Sequence, residues 1–338
     1  MGKFSIRNFL LGQFDTEPQH SLDFATKESF LAWRDTQRKE LARITGWDKI
    51  PSFGAPIASH PTEEDCGSYI RKKVILQTHE DIFMPIYVLE PRLNSMKLPI
   101  IAIPGHGSNG KQGVCGVDDT GLANYKCDFA HQMACAGHVV FCPDLAGFGE
   151  RREEREQDDV SKSSCNNINF AAIALGMSLQ AIFLNDLTAL VDYVHTYNGV
   201  DVSKLVCMGF SGGAWQTLWL AAMDDRIKTA LVTGYFHGFR NQLFKSNFCG
   251  CNFVPGFWEK WRITDLAAMI APRNLYIETG DKDPLPGPMG LSNVVPYVEQ
   301  LKGLYDRLGE GFIYHHIFNG GHEYNGFALE YLKMLDER

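Results

Sequence analysis

Ser211 is the residue whose neighbours most directly suggest chemistry. It stands in Gly-Phe-Ser-Gly-Gly at 209–213, after the apolar run 205–208 and before a segment of helical character. A strand that turns sharply into a helix leaves little room for side chains, and glycines two residues before and after the serine relieve the crowding. Such a turn projects the hydroxyl beyond the sheet, beside helix N–H groups that stabilise negative charge. The pattern predicts a nucleophilic Ser211; a plain strand–helix turn is the alternative.

A serine hydroxyl is a weak nucleophile at neutral pH, so Ser211 needs a general base. His322 is the candidate, because it follows the strand-like run 312–318 in the glycine-rich loop Asn-Gly-Gly-His-Glu, which suits a mobile imidazole. His315 and His316 lie inside that run, and we expect them to be packed. A surface histidine without a role is the alternative interpretation of His322.

A carboxylate must then hold the imidazole in the right tautomer. Asp281 and Asp283 both follow the strand-like run 274–278. We expect Asp283 to pair with His322 and Asp281 to shape the turn. The predicted catalytic residues therefore follow the chain order Ser211, Asp283, His322, with enough chain between successive members for one crossover each.

The tetrahedral intermediate of acyl transfer carries an oxyanion, which needs N–H donors that are already in place. One predicted donor is the backbone N–H of Gly212, directly after the nucleophile. The second should come from the Pro-Gly-His-Gly-Ser turn after the strand-like run 98–103. We favour the N–H of Ser108, with Gly107 next, and expect His106 to brace the loop. An ordinary turn at the end of a strand is the alternative.

These residues sit on an alternation of strands and helices. Apolar runs predict strands at 98–103, 139–141, 205–208, 229–233, 274–278 and 312–318, and helical spacing predicts helices at 125–136, 177–197, 294–308 and 326–336. Such alternation implies parallel pairing through right-handed crossovers, with both faces of the sheet covered. Two earlier runs, 69–78 and 82–90, predict an antiparallel hairpin at the sheet edge. The fold class is therefore α/β, and ligands gather at the carboxyl ends of such strands.

Residues 1–50 are predicted to be an extension that packs on a catalytic domain at 51–338. Residues 1–21 show no clear period and are expected to form an irregular arm. The segment 26–43 has an apolar stripe and a threonine suited to an N-cap, which predicts a helix. The proline-containing segment 46–68 is expected to be a loop.

Two segments between the predicted strands stand out by composition. The charged run 149–159 (GERREEREQDD) is expected to be a solvated loop. Segment 236–264 is rich in Phe and Trp and is predicted to form a short cap. Its rings either wall the substrate pocket or only pack the cap onto the body. No large lid is apparent, which disfavours a lipase for long acyl chains.

Charge and composition exclude several classes of partner. The 338 residues carry a net charge of −8, which disfavours nucleic acid and anionic membranes as partners. No apolar run reaches the ~18 residues of a membrane span. The chain shows no signal peptide, and its nine scattered cysteines describe no disulfide framework, so we expect a reduced, cytoplasmic protein. Cys249 and Cys251 could hold a metal or form a strained disulfide, but no CxxC motif or histidine lies nearby in the sequence, and we expect no metal and no cofactor.

Together these residues resemble the α/β-hydrolase superfamily over roughly 65–338. Within it, Pro-Asp-Leu-Ala-Gly-Phe-Gly-Glu-Arg at 143–151 and the segment 254–273 are similar to the bacterial group related to acetyl xylan esterases and dienelactone hydrolases. The resemblance implies an α/β-hydrolase fold and hydrolysis of a carboxylic ester or related acyl compound. Dienelactone hydrolases use a cysteine nucleophile, so Ser211 favours simple esters. Pro-Leu-Pro-Gly after Asp283 departs from the more usual apolar–proline ending of the acid loop.

The sequence thus predicts a serine hydrolase that cleaves a carboxylic ester, of short-acyl or acetylated-sugar type, through an acyl-enzyme. The expected partner is a small-molecule ester, and formation of a homo-oligomer is left open. A peptidase of the acylaminoacyl or dipeptidyl type is one alternative. It is disfavoured because the segment before the main domain is too short for the propeller that commonly gates such enzymes. A scaffold that binds without catalysis is the other, disfavoured because serine, aspartate and histidine are all present.

Overall fold

A computed structural model describes most of the chain. The described residues are 4–15, 22–92, 98–107, 109–117, 128–157, 159, 161–240 and 249–336. Over these residues nine strands form one sheet, in the order β1-β2-β3-β5-β4-β6-β7-β8-β9. The strands are β1 (Ile57–Asp65), β2 (Tyr69–His79), β3 (Ile82–Pro91), β4 (Ile100–Ile103), β5 (Val140–Pro143), β6 (Val206–Phe210), β7 (Thr229–Thr233), β8 (Asn274–Gly280) and β9 (Ile313–Phe318).

The sheet is antiparallel at one edge and parallel elsewhere. Strands β1, β2, β3 and β5 pair antiparallel in succession, and β5, β4, β6, β7, β8 and β9 pair parallel. The predicted hairpin is therefore present, with one further strand outside it. The predicted mostly parallel sheet is confirmed, and its parallel strands deliver their carboxyl ends to one edge.

Helices cover both faces of this sheet. They are α1 (Arg7–Asp15), α2 (Lys27–Thr45), α3 (Lys111–Val114), α4 (Phe129–Cys135), α5 (Glu154–Gln157), α6 (Cys165–Ala174), α7 (Leu179–Thr196), α8 (Gly212–Met223), α9 (Phe257–Lys260), α10 (Ile263–Ala268), α11 (Val295–Leu308) and α12 (Phe327–Asp336). In the described part of the chain no single helix is long and apolar enough to cross a membrane, and only α6 with α7, bent by 108°, meets those criteria as a pair.

The central strands lack a polar face because each face meets a separate core. In β4, Ile101 and Ile103 join one core, whereas Ile100 and Ala102 join the other. The first core also takes in α2, α7, α8, α10 and α11, and the second takes in α4 and α12. Alternate side chains are thus buried on both sides, which explains the continuous apolar runs in the sequence.

Two expectations for the amino-terminal region are wrong. Residues 1–21 were expected to be irregular, but α1 forms within them; Phe9 on this helix is exposed, so no buried apolar stripe marks the helix in the sequence. The expected loop at 46–68 contains β1. Its pairing with β2 shifts register between Ser59 and Thr62, on either side of Pro61. Proline lacks the N–H of a ladder hydrogen bond and is tolerated on an edge strand such as this one.

The helix predicted at 26–43 is confirmed as α2, and it docks on the body. Thr26 accepts a hydrogen bond from the Ser29 N–H and caps the helix. Phe30 and Leu41 on α2 are fully buried in the larger core. Arg38 donates to the backbone oxygen of Ala222 at 2.6 Å, which ties α2 to the end of α8. The boundary between extension and catalytic domain at residue 50 stays a prediction.

Candidate active site

Ser211 occupies the turn between β6 and α8 in a conformation that favours glycine. Its backbone has φ 55° and ψ −122°, and its N–H donates to the Thr233 oxygen at 2.9 Å. The turn is crowded: a Cβ on Gly209 would lie 2.2 Å from the Gly213 oxygen, and one on Gly213 would lie 2.1 Å from the Ile103 oxygen. Only glycine fits at those two positions. The strained backbone projects the serine hydroxyl past the carboxyl ends of the strands.

The structure brings the three predicted side chains together. His322 Nε2 lies 2.9 Å from Ser211 Oγ, and His322 Nδ1 lies 2.9 Å from Asp283 Oδ2. The other oxygen of Asp283 accepts the Leu285 N–H at 2.8 Å. The carboxylate side chain is 2% exposed and the imidazole 17% exposed. A hydroxyl, an imidazole and a buried carboxylate thus form one hydrogen-bonded chain with the geometry of a nucleophile, its base and an orienting acid.

The loops that carry the acid and the base are joined along the parallel pair β8 and β9. A Cβ on Gly280 would lie 2.2 Å from the Gly321 oxygen, so the two loops approach at backbone distance. Asp281 Oδ1 accepts the Gly320 N–H at 3.0 Å. Asp281 therefore shapes the turn, as expected, whereas Asp283 reaches the imidazole. The hydrogen bond between Asp281 and Gly320 thus holds the loop that carries His322 beside the loop that carries Asp283.

The two histidines within β9, His315 and His316, are packed, as expected. His315 Nε2 lies 3.1 Å from Thr279 Oγ1, and burial lowers the pKa of His315 to about 4. His316 stacks on Phe327 with ring centroids 4.0 Å apart. Neither lies in the hydrogen-bonded chain that contains Ser211.

The predicted oxyanion loop borders the same cavity as the serine. Gly107, His106 and Ser211 line a small cavity that opens to solvent. Ser108, the favoured second donor, lies outside the described residues, so its role stays a prediction. A Cβ on Gly212 would lie 2.0 Å from His106 Nδ1, so the imidazole packs directly on the residue that carries the first predicted donor. This packing agrees with the expectation that His106 braces the loop.

A buried ion pair holds the start of α3, next to that loop, and it corrects the expectation for the charged run 149–159. Lys111 and Asp144 are fully buried and lie 2.6 Å apart, and Glu150 lies 2.5 Å from the same ammonium. Burial disfavours the ammonium, but both carboxylates together raise the pKa of Lys111 above its ordinary value. Arg151 pairs with a buried carboxylate of α7 at 2.8 Å. The run is not simply solvated, because two of its charges neutralise partners in the interior.

A cluster of three thiols and one imidazole lies beside the serine turn, and sequence reasoning missed it. Cys251 Sγ lies 3.0 Å from His106 Nε2 and 3.0 Å from Cys249 Sγ. Cys165 Sγ lies 3.3 Å from Cys249 Sγ. The expectation of no histidine near Cys249 and Cys251 is wrong in space, although 145 residues separate His106 from Cys251 in sequence. No local motif marks this grouping.

The described rings of the aromatic cap pack on the body. Trp258 stacks on Trp215 of α8 with centroids 6.2 Å apart, and Phe257 lies 5.3 Å from Trp219 of the same helix. Phe257 is fully buried. These contacts favour the interpretation in which the rings pack the cap onto the body. Residues 241–248, which include two of its phenylalanines, lie outside the described part of the chain.

Comparison with known proteins places this site in a wider context. The model of the Abhydrolase family matches residues 4–284. A Bacillus subtilis (strain 168) protein, YtaP, named as a candidate hydrolase, is 22% identical over 270 residues, which are 77% of this chain and 85% of that protein.

Solved structures show the same fold at low sequence identity. A candidate acetyl xylan esterase from Bacteroides fragilis superposes with a TM-score of 0.75 at 19% identity, covering 93% of this chain and 83% of that one. A glucuronoyl esterase from Solibacter usitatus gives a TM-score of 0.64 at 15% identity, covering 95% of this chain and 98% of that one. The α/β-hydrolase fold that the sequence resemblance implied is confirmed.

Proposed function

The chain belongs to the Abhydrolase family, and we propose that it is a serine hydrolase that cleaves carboxylic esters through an acyl-enzyme. The observation that carries this proposal is the hydrogen-bonded chain Ser211–His322–Asp283 at the carboxyl ends of the strands. The esterase names of the structural relatives support the same reaction class.

In the proposed first step, His322 Nε2 takes the proton of Ser211 as the hydroxyl attacks the ester carbonyl. The imidazolium that forms is stabilised by Asp283, whose second oxygen is already held by a backbone N–H. The negative charge that develops on the carbonyl oxygen is stabilised by the Gly212 N–H and a donor of the 104–108 loop. The tetrahedral intermediate then collapses, and His322 protonates the leaving alcohol.

In the second step, water attacks the acyl-enzyme by the same route. His322 takes a proton from the water, and the carboxylic acid leaves as Ser211 is reprotonated. Each half-reaction uses the same base and the same oxyanion donors, so no further catalytic group is required.

We assign the substrate to short-acyl esters, including those of acetylated sugars. The cavity beside Ser211 is small, which favours a short acyl group over a long acyl chain. The relatives of known structure named as acetyl xylan esterases favour a carbohydrate as the alcohol half of the substrate.

Labelling with a fluorophosphonate probe tests the nucleophile directly. The wild-type protein should be labelled on Ser211, and Ser211→Ala should be unlabelled and lower kcat on p-nitrophenyl acetate on the order of 10⁶-fold, because the three residues act as a unit. Ser203→Ala, an exposed serine before β6, is the matched control and should keep both labelling and activity. An unlabelled wild-type protein would favour a scaffold that binds without catalysis.

A panel of substrates tests the assigned class. Acetylated xylo-oligosaccharides, p-nitrophenyl esters of increasing acyl length and an acylated peptide amide should be compared by kcat/KM. We expect the highest values for acetyl and other short esters. A higher value for the peptide amide than for every ester would favour the peptidase alternative.

A further inference from the structure

The four groups of the thiol cluster come from three separate parts of the fold. His106 lies in the loop after β4, Cys165 begins α6, and Cys249 and Cys251 flank one glycine in the turn before α9. Their reactive atoms face one another: one nitrogen of His106 and the sulfurs of Cys249 and Cys251 all lie within 4.8 Å of each other. Cys165 Sγ lies 3.3 Å from Cys249 Sγ, at the border of this group of three, and is the nearest candidate for a fourth ligand.

The residue types of this cluster and their burial suit a metal site. Cys165 and Cys251 are fully buried. His106 Nε2 lies 3.0 Å from Cys251 Sγ, so the imidazole nitrogen faces this sulfur directly. A thiolate and a neutral imidazole are the forms in which these residues bind metals.

The distances fit neither separate thiols nor a disulfide. The sulfurs of Cys251 and Cys249 are 3.0 Å apart, well beyond the ~2.05 Å of a disulfide bond. They are also closer than two unbonded sulfurs normally approach. A tetrahedral ion with Zn–S bonds of about 2.3 Å holds its sulfur ligands about 3.7 Å apart, so binding requires the sulfurs of Cys249 and Cys251 to separate by roughly 0.7 Å and Cys165 to move toward the other three ligands.

We propose that His106, Cys165, Cys249 and Cys251 bind one Zn²⁺ ion in a closed Cys3His site. Soft thiolates select a zinc-like ion over Mg²⁺ or Ca²⁺. Four protein ligands leave no open position for water or substrate, which makes the ion structural rather than catalytic. Binding releases the protons of those thiols that are still protonated. The sequence-based expectation of no metal is thereby replaced by a proposal.

The consequence for the active site follows from the position of His106. Its ring packs against Gly212, which carries the predicted oxyanion donor, and it belongs to the loop expected to supply the second donor. The proposed ion would join this loop to the start of α6 and to the turn before α9. Zn²⁺ therefore acts as a cross-link that holds the oxyanion loop against the serine turn.

Metal content of the full-length protein, purified in reducing buffer without a metal-affinity step, tests the proposal. We expect about one zinc ion per chain by elemental mass spectrometry, and at least a tenfold loss in Cys251→Ser. Cys135→Ser is the matched control, because Cys135 is exposed and lies 3.6 Å from a single imidazole, that of His131, and should leave the zinc content unchanged. Retention of zinc in Cys251→Ser, or a wild-type protein that stays zinc-free after incubation with ZnCl₂, would overturn the proposal.

Two further measurements remove the remaining ambiguities. Cobalt substitution of the wild-type protein should produce thiolate-to-cobalt charge-transfer absorption and tetrahedral d–d bands, both absent in His106→Asn and Cys251→Ser; their absence from the wild-type protein contradicts the site even if a variant misfolds. An intact mass two daltons below the reduced chain, with zinc absent, would instead identify a disulfide. Ser211→Ala should bind zinc like the wild type, so failure of the proposed hydrolysis and failure of the metal site are distinguishable.

Discussion

Replacing Asp283 by asparagine should stop His322 from acting as a base while leaving the fold intact. The Leu285 N–H donates to Asp283 Oδ1 at 2.8 Å, so the oxygen of an asparagine amide would be held toward Leu285. Its NH₂ group then faces His322 Nδ1, which must become an acceptor. The imidazole proton consequently moves to Nε2 and points at Ser211 Oγ, and this tautomer cannot accept the serine proton.

The size of the effect follows from two contributions. Turning the amide around to restore the productive tautomer would set its NH₂ against the partly buried Leu285 N–H, at a cost of about 1–3 kcal/mol. Loss of the carboxylate also removes a charge-assisted hydrogen bond to the imidazolium, worth about 1.5–3 kcal/mol. Together these lower kcat about 10²–10⁴-fold, since each 1.36 kcal/mol is tenfold.

Asp281→Asn is the matched control, only two residues away on the same loop. Asp281 is exposed, and the Gly320 N–H that it accepts can be accepted equally by an amide oxygen. Its substitution should change kcat by no more than about twofold, the range of an ordinary surface change. Both variants should be compared with the wild type for kcat and KM on p-nitrophenyl acetate, and by thermal unfolding to verify the fold.

The comparison has a decisive outcome. If Asp283→Asn retains kcat within tenfold of the wild type, or if Asp281→Asn loses as much as Asp283→Asn, the proposed pairing of Asp283 with a catalytic His322 is refuted. A large loss confined to Asp283→Asn, with KM little changed, supports it, because the imidazolium charge that Asp283 stabilises develops only in the transition state.

Two further predictions concern stability. Lys111→Met leaves Asp144 as a buried carboxylate without its ammonium partner, and it should lower the free energy of unfolding by about 3–5 kcal/mol, or Tm by roughly 4–7 °C. Lys27→Met, which breaks a surface ion pair, is the control and should cost less than about 1 kcal/mol. Equally small effects of both variants in thermal unfolding would contradict the buried charge pair. Burial raises the pKa of Glu278 to about 7, so the folded protein binds this proton more tightly than the unfolded chain does. The stability that depends on the protonated Glu278 carboxyl is complete below the pKa of the unfolded state and is lost as the pH rises to about 7. Glu278→Gln should therefore gain up to ~3 kcal/mol over the wild type between about pH 4.5 and 7 in denaturant unfolding, and a pH-independent difference would rule this out.

The sequence by itself was sufficient for features whose cause is local. The turn at Ser211 needs glycines two residues before and two residues after the serine, because the backbone there leaves no room for a Cβ. This spacing can be recognised in the sequence. The buried strands and α2 were predictable for the same reason, since periodicity, caps and apolar runs are properties of neighbouring residues. The order of the serine, acid and histidine loops followed from the order of the strands.

Features that depend on groups far apart in the chain were decided only by the tertiary structure. The charged run 149–159 was predicted to be a solvated loop because no residue near it in the sequence indicates that Glu150 pairs with the buried Lys111. Strand β1 was hidden because proline disfavours strands in general but is tolerated at an edge, and only pairing reveals the edge. The cluster of Cys251 with His106 is the clearest case, since a ligand set is a matter of distance in space and the fold alone brings its members together.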